Sequence, residues 1–530
     1  MPTAFSGCAV AAAFFLLLLA VQPTGAWTLH SYSGASRRVV TSSLDLGIGE
    51  STEPSSTPSA TSHDWYPLSR REALSKGIIV GGSGIASALS LPTRARADTA
   101  TVQDIQRPLS SPTSAATTPL LSNYNPSNYK TLPSYGRTVF PPSFLPPLNN
   151  RATYRYSLGR NAWALEQLIA FANVTATIRT NVIKEENGEL WVCGPLWPTD
   201  EYCALLDELG PVTNVVLPTN ALEHKAAMKQ FVRKYPDAEV WISPGQYGPF
   251  GECGVVTEDM DEDQVNRVVR KAVKTMGYRV DGILPLRAQP GTQSKAHEPK
   301  PKNMFPSWAD RFDTAVLCVD LPGNAGPTSE CAFVHKPSKT LVVTDAVICV
   351  PSVSTTAAGD NDSTLQFPIQ PIFSSYFDET TLSDPTFWPR TVLQAVFLPL
   401  RTEPSKSEMA VYPGYEALTN RLVRAPILRA FADARAPDSV RDWVNRIAGL
   451  TTFDRIITAH FASPINAGQD LFTGAFAHLD RDASLDELSS TLPPIACQDW
   501  STLDSLNDFI GDNKLGAPVV YDFRRGCKAE

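Results

Sequence analysis

The chain has 530 residues, enough for two or three average domains. A hydrophobic fraction of 43% and a charged fraction of 19% suit a large buried core. The net charge of −8 argues against any sequence-wide affinity for nucleic acid.

The N-terminal stretch reads as three addresses in series. Val10 to Val21 is an apolar run too short to span a bilayer comfortably but suited to a signal-peptide core, and Thr24 and Ala26 supply small residues for a cut before Trp27. Residues 27–68 are rich in Ser and Thr, carry Arg37 and Arg38 and hold few acids, a composition that resembles a plastid transit peptide. A signal peptide, an aromatic residue and a transit-like stretch together resemble the bipartite presequence of algae whose plastids lie inside the endomembrane system. Residues 69–97 resemble a twin-arginine signal: Ser69-Arg70-Arg71-Glu72-Ala73-Leu74-Ser75-Lys76, a mildly apolar Gly-rich run, then the exit site Ala95-Arg96-Ala97. This order implies the plastid thylakoid lumen as destination and the twin-arginine export machinery as a transient partner. Residues 98–150, dominated by Pro, Ser, Thr and Asn, read as a disordered arm.

Folded structure is expected from about Arg151. The spacing of Leu158, Trp163, Leu165 and Leu168 predicts a helix over 155–171. Thr177–Ile183 and Glu189–Gly194 read as strands joined across Asn187-Gly188. A helix from Thr199 to Leu209, a strand Val212–Leu217, a helix Leu222–Lys234 and a strand Ala238–Ile242 follow. Phe312–Val319, Cys331–His335 and Thr340–Val350 are expected strands, Pro426–Ala432 and Asp438–Ala448 helices, and Phe453–Thr458 a last strand. A hairpin followed by alternating strands and helices points to α/β architecture with a mixed sheet. Residues 243–307 and 351–424 read as long insertions in a domain spanning 151–480, and 481–530 as a C-terminal extension. The acidic run Glu258–Asp263 reads as a solvated face ahead of a helix from Gln264. Among the nine cysteines there is no CxxC pair; Cys318 and Cys331 are a candidate bridge.

The segment Val212-Thr213-Asn214-Val215-Val216-Leu217-Pro218-Thr219-Asn220-Ala221-Leu222-Glu223-His224-Lys225, with "YPDAEVWISPGQ", "FVHKPSKTLVVTDAV" and "RIITAHFASPI", resembles a family of unknown function from plants, algae and bacteria, related to the metallo-β-lactamase fold. The resemblance covers roughly residues 170–470 and implies a four-layered αββα sandwich with metals at the sheet edge. Carried over residue by residue, the three histidines of the first metal position fall on Thr219, Ala221 and Asn324, where alanine cannot ligate and the others are poor ligands. The second position falls on Glu223, His224, Asp345 and His460, all able to ligate, and implies at most one divalent metal (Zn, Fe or Mn). Lys225 beside His224 would repel a cation. His335, ahead of a turn, reads as structural.

Two functions stay open. One is a lumenal protein that kept the fold and lost the dinuclear site, serving as a non-catalytic or binding scaffold for a partner at the thylakoid membrane or in the lumen. The other is a mononuclear metal-dependent hydrolase acting on an ester or thioester-like substrate. There is no G-x-S-x-G elbow, P-loop or dinucleotide fingerprint.

Overall fold

Alternating side chains on two sheets dictate the architecture. A computed structural model of the protein describes residues 151–171, 174–248, 251–287, 304–321, 326–352, 371–374, 376–398, 413–513 and 516–528. The expected targeting residues Ala26, Trp27, Arg70, Arg71, Ala95 and Ala97, the expected arm at 98–150, and Asn324 lie outside them. Among the described residues no helix is long and apolar enough to cross a membrane.

The first sheet has seven strands in the order β1-β2-β3-β4-β5-β6-β9: β1 (Tyr154–Gly159), β2 (Ala162–Phe171), β3 (Val174–Lys184), β4 (Leu190–Cys193), β5 (Val212–Leu217), β6 (Glu239–Ile242) and β9 (Gly282–Ile283). Its first four strands are antiparallel and its last four parallel. The short strands β7 (Tyr247–Gly248) and β8 (Gly251–Glu252) form a separate hairpin. The second sheet runs β10 (Phe312–Leu321), β11 (Gly326–His335), β12 (Thr340–Val342) and β15 (Arg455–Ile457), with β12 and β15 parallel. The strands β13 (Val347–Cys349) and β14 (Leu422–Arg424) pair with each other.

The two sheets face one another. Val216, Trp241 and Trp191 from the first sheet share a core with Val316, Cys331, Phe333, Val342 and Ile457 from the second. Trp191 lies 4.5 Å from Phe312 and 5.3 Å from Phe333, ring centre to ring centre, pinning the layers together. Gly282 is required here, since a Cβ would stand 2.3 Å from the Trp241 ring. The neighbours of these residues point outward. Val215, Leu217, Val240 and Ile242 pack against α1 (Asp200–Asp207), α3 (Met228–Lys234) and α4 (Glu262–Met276); a short α2 (Leu222–Lys225) precedes α3. Ala315, Leu317, Val319, Ala332 and Val334 pack against α5 (Pro437–Ala448) and α6 (Gln469–Gly474). Helix, sheet, sheet, helix is the αββα sandwich of the metallo-β-lactamase fold.

Several expected elements differ. Residues 155–171 form the β1–β2 hairpin rather than a helix. Gly159, Arg160 and Asn161 all take positive φ (75°, 53° and 55°) and turn the chain back. β2 is buried on both faces, with Ala162 and Ala164 toward the second sheet and Leu165 toward the helices, so its period of two is hidden. The helix expected over Leu222–Lys234 breaks at Ala226 and Ala227 into α2 and α3. The strand expected over Thr340–Val350 breaks into β12 and β13 around a turn at Asp345. In Pro426–Ala432 the helix passes after Leu428 into a π-helical turn, Arg429–Asp433. Asp261 in the acidic run caps α4 in a reciprocal capping box with Gln264. Cys318 and Cys331 are not bridged to each other, and the disulfide instead joins Cys497 to Cys527 with Cα atoms 5.0 Å apart.

Candidate metal centre

The segment after β5 crosses from the first sheet to the second. Thr219 bridges to Glu330 on β11, its Oγ1 donates to Ser329 O (2.9 Å), and Asn220 accepts from Ser329 N–H (3.1 Å) while donating to Pro327 O. These bonds fix the start of α2 and bring His224 against the ends of β12 and β15.

His224 is 1% exposed, and neither ring nitrogen makes a hydrogen bond. Its Nε2 stands 3.7 Å from Asp345 Oδ2. Burial pushes its pKa down to about 4, against the opposing pull of Asp345, so the ring is neutral near pH 7.

Asp345 sits in the turn after β12. Glu330 Oε1 accepts the backbone N–H of Thr344 (2.8 Å) and of Asp345 (3.2 Å), which is why the strand stops there. From the other side Arg424 Nη1 donates to Ala346 O (2.9 Å). Burial alone would raise the Asp345 carboxyl, but its hydrogen bond to His460 and the nearby charges hold it below the ordinary range. Its Oδ1 lies 3.1 Å from His460 Nε2.

His460 follows β15. Its Nδ1 donates to Thr177 O (2.6 Å), which leaves Nε2 facing Asp345. The loop that carries it is held by β3. Arg179 Nη1 donates to Thr458 O (2.7 Å), Nη2 to Phe461 O (2.5 Å), and Asn181 Nδ2 to Thr458 O (3.2 Å). Arg179 is itself fixed by the buried Glu166 carboxylate. Burial opposes protonation of His460, but Asp345 outweighs it and raises the pKa.

One ligand atom from each of His224, Asp345 and His460 lies within 4.8 Å of the other two, the one such group among the described residues. Side-chain adjustment can close that spacing onto one ion at ~2.0–2.2 Å from each. An orphaned, neutral, buried imidazole fits a metal ligand better than a packing residue, because an unbonded polar group at that depth is costly. The donor set therefore fits a divalent cation.

Glu223 is not one of the three. Burial first and the Asp345 charge second raise its carboxyl, while His460 and Lys225 pull the other way. Lys225 turns from the cluster: its Nζ donates to Tyr247 O (3.1 Å) and lies 3.0 Å from the centre of the Tyr247 ring. Thr219 and Ala221 serve the loop, with Ala221 N–H donating to Thr219 Oγ1 (3.2 Å). Glu330 was missed by the sequence reading. Its carboxyl is pushed up to about 8, by burial first and then by Asp345. The available signal was a lone acid within the apolar run Cys331–Val334 and its flank.

The sequence model of the family described as "Domain of unknown function (DUF4336)" matches residues 160–253, 284–413 and 406–478, more than half of the chain. The chain belongs to the DUF4336 family. No curated protein matches this DUF4336 chain by sequence. Among solved structures it is similar to a metallo-β-lactamase from Hirschia baltica, with 9% identity and a TM-score of 0.28 over 63% of this chain and 99% of that one. It is similar to a metallo-β-lactamase from Pseudomonas aeruginosa in its mono-zinc form (9%, TM-score 0.27, 62% and 94%). It is also similar to a metal-soaked flavodiiron core from a Synechocystis species (8%, TM-score 0.32, 70% and 72%). The fold assignment for this DUF4336 domain rests on the four layers described above.

Proposed function

We propose that this domain holds one divalent cation (Zn, Fe or Mn) on His224, Asp345 and His460 and serves as a mononuclear metal-dependent hydrolase for an ester or thioester-like substrate. The observation that carries this reading is His224, buried and neutral with both ring nitrogens unbonded beside two further ligands. When bound, the ion supplies Lewis acidity near neutral pH. The chain's own residues do the rest. Thr177 fixes the His460 tautomer; Glu330 and Arg424 hold the Asp345 turn; and the raised carboxyl of Glu223 can hold a proton beside the cluster. Side-chain exposures of 16% for His460 and 18% for Asp345 open the cluster on one side, while His224 closes it on the other.

A second reading is favoured by one contact. The Asp345–His460 pair at 3.1 Å is complete without an ion, and Thr219 and Ala221 offer no ligands for a second one. On that reading the domain is a binding scaffold. Elemental analysis of the protein purified without chelator separates the two. About one equivalent of metal, lost in His224→Ala, is expected; metal far below one equivalent and unchanged in the variant sinks the metal reading.

The proposed location is the plastid thylakoid lumen, supported by Arg70, Arg71 and the Ala95-Arg96-Ala97 exit site. The Cys497–Cys527 disulfide is consistent with an oxidising compartment. A partner, on this view, is a lumenal protein or the thylakoid membrane surface.

A further inference from the structure

The sandwich has a second chemically loaded end. Along β3, Thr177, which holds His460, and Lys184, beside Glu185, lie roughly 23 Å apart at strand rise. The parallel pair β12 and β15 agrees: Asp345 and His460 follow these strands, whereas Ser338 and Asp454 precede them. At the far end is a cleft of about 710 Å³, lined in part by Glu185, His335 and Ser338.

The floor of this cleft is built. Ser338 Oγ lies 2.8 Å from His335 Nδ1, and His335 Nε2 faces Glu185 Oε2 at 3.7 Å. The His335 and Glu185 side chains are only 7% and 6% exposed, and His335 Nε2 and Glu185 Oε1 have no hydrogen-bond partner. Arg311 Nε, 3.2 Å from Glu185 Oε2, keeps that carboxyl charged; burial would raise its pKa, but His335 and Arg311 bring it below the ordinary range. A carboxylate can only accept, so it favours the proton on His335 Nε2 and leaves Nδ1 as a base toward Ser338. Ser338 Oγ can also donate to Thr340 Oγ1 (2.9 Å), but that oxygen already accepts Arg455 Nε (3.1 Å) and Nη2 (2.8 Å). The imidazole is the stronger base of the two acceptors. Nucleophile, base and orienting carboxylate within reach of one another are the signature of an activated hydroxyl.

We propose that Ser338, His335 and Glu185 form a second, metal-independent acyl-transfer site that takes carboxylic esters carrying a negative charge. Ser338 Oγ bonds to the acyl carbon as its proton passes to His335 Nδ1. The ester C–O bond then breaks, and the alkoxide leaves as the alcohol with that proton. Water attacks the acyl-serine, gives its proton to His335, and Ser338 recovers it as the acid departs. Glu185 is a positioning residue. Lys184, Lys339 and Arg160 at the rim face the substrate's charge, with Arg160 bound to Asp454 in the resting state.

The full-length protein is treated with a fluorophosphonate, whose phosphorus accepts Ser338 Oγ with loss of fluoride, and the adduct is mapped by peptide mass spectrometry. One adduct on Ser338 is expected, formed equally with and without chelator, and slowed on the order of 100-fold in His335→Ala. In Glu185→Gln labelling should slow, because His335 loses the carboxylate that orients it, and Glu185→Asp should recover part of the rate. The para-nitrophenyl monoester of succinate should turn over faster than para-nitrophenyl acetate. Ser338→Cys tests the same pairing if His335→Ala does not fold: iodoacetamide should alkylate it with a midpoint well below about 8.5, the ordinary thiol value. No adduct on Ser338 in natively folded protein, labelling abolished by chelator, or an ordinary thiol midpoint in Ser338→Cys would overturn the proposal.

Discussion

His478 shows how one buried side chain links stability to the metal-site turn. It is fully buried, its Nε2 donates to Asp433 Oδ2 (3.0 Å), and its Nδ1 is unbonded. Asp433 is gripped by Arg424 through two bonds (3.0 and 2.7 Å), and Arg424 reaches on to Ala346 beside Asp345. Burial first, then the Arg429 charge, pushes the His478 pKa down from 6.5 to about 3, with Asp433 opposing. The unfolded chain therefore binds a proton that the folded one refuses between pH 6.5 and 3. Stability from this residue is complete above pH 6.5 and falls as the pH drops through that window. At pH 5 the loss is about 2 kcal/mol. Denaturant titrations at pH 7.5 and 5 should show His478→Gln losing less stability than wild type by that order. Parallel pH curves for the two proteins would contradict the buried-neutral assignment.

At the scale of elements, β3 does most to place the candidate metal centre. The Arg179 and Asn181 side chains, two residues apart on one face, and the backbone carbonyl of Thr177 all bond the 458–461 loop. The sequence showed a strand here, but not that its polar face turns inward to grip a loop almost 300 residues away. Such pairing is long-range, and local pattern carries no trace of it. Asp345 and His460 were legible as strand-end residues, and the family motif supplied His224. Glu223, also expected among the ligands, lies outside the group of three, although its carboxyl feels the charges of Asp345 and His460. β2 was misread for a different reason: with both faces buried, hydrophobicity cannot separate a period of two from one of 3.6. The grip of β3 is testable. Arg179→Met leaves Glu166 charged and buried without its partner, at a cost of about 3–5 kcal/mol. Adding Glu166→Leu should recover part of it, because the pair is then removed together. Either variant should weaken metal retention about 10–100-fold by freeing the His460 loop. Chemical denaturation and metal competition with a chromogenic chelator report both effects; a single mutant as stable as wild type, or retaining metal equally, would show that the loop is held by other contacts.

For the whole molecule, the proposed lumenal location and the C-terminal disulfide can be tested together. Cys497 and Cys527 are 30 residues apart in sequence, and closing a loop of that size stabilises the folded chain by about 3–4 kcal/mol. That gain exists only where thiols are oxidised, and a reducing stroma would remove it. The other six described cysteines form no disulfide, and five of them are buried, so thiol trapping under native conditions reads chiefly this pair. Import through the twin-arginine route should therefore couple location to oxidation state. In isolated plastids the imported chain should become protease-protected inside thylakoids with Cys497 and Cys527 closed. Arg70→Lys with Arg71→Lys should leave it in the stroma with both thiols open to a mass-tagged maleimide. A Cys497→Ser, Cys527→Ser chain should still reach the lumen, because the signal is separate from the fold, but should unfold at lower denaturant by the 3–4 kcal/mol above. Lumenal delivery of the twin-lysine variant, or an open pair in lumenal wild type, would break the link between address and fold on which the proposed location rests.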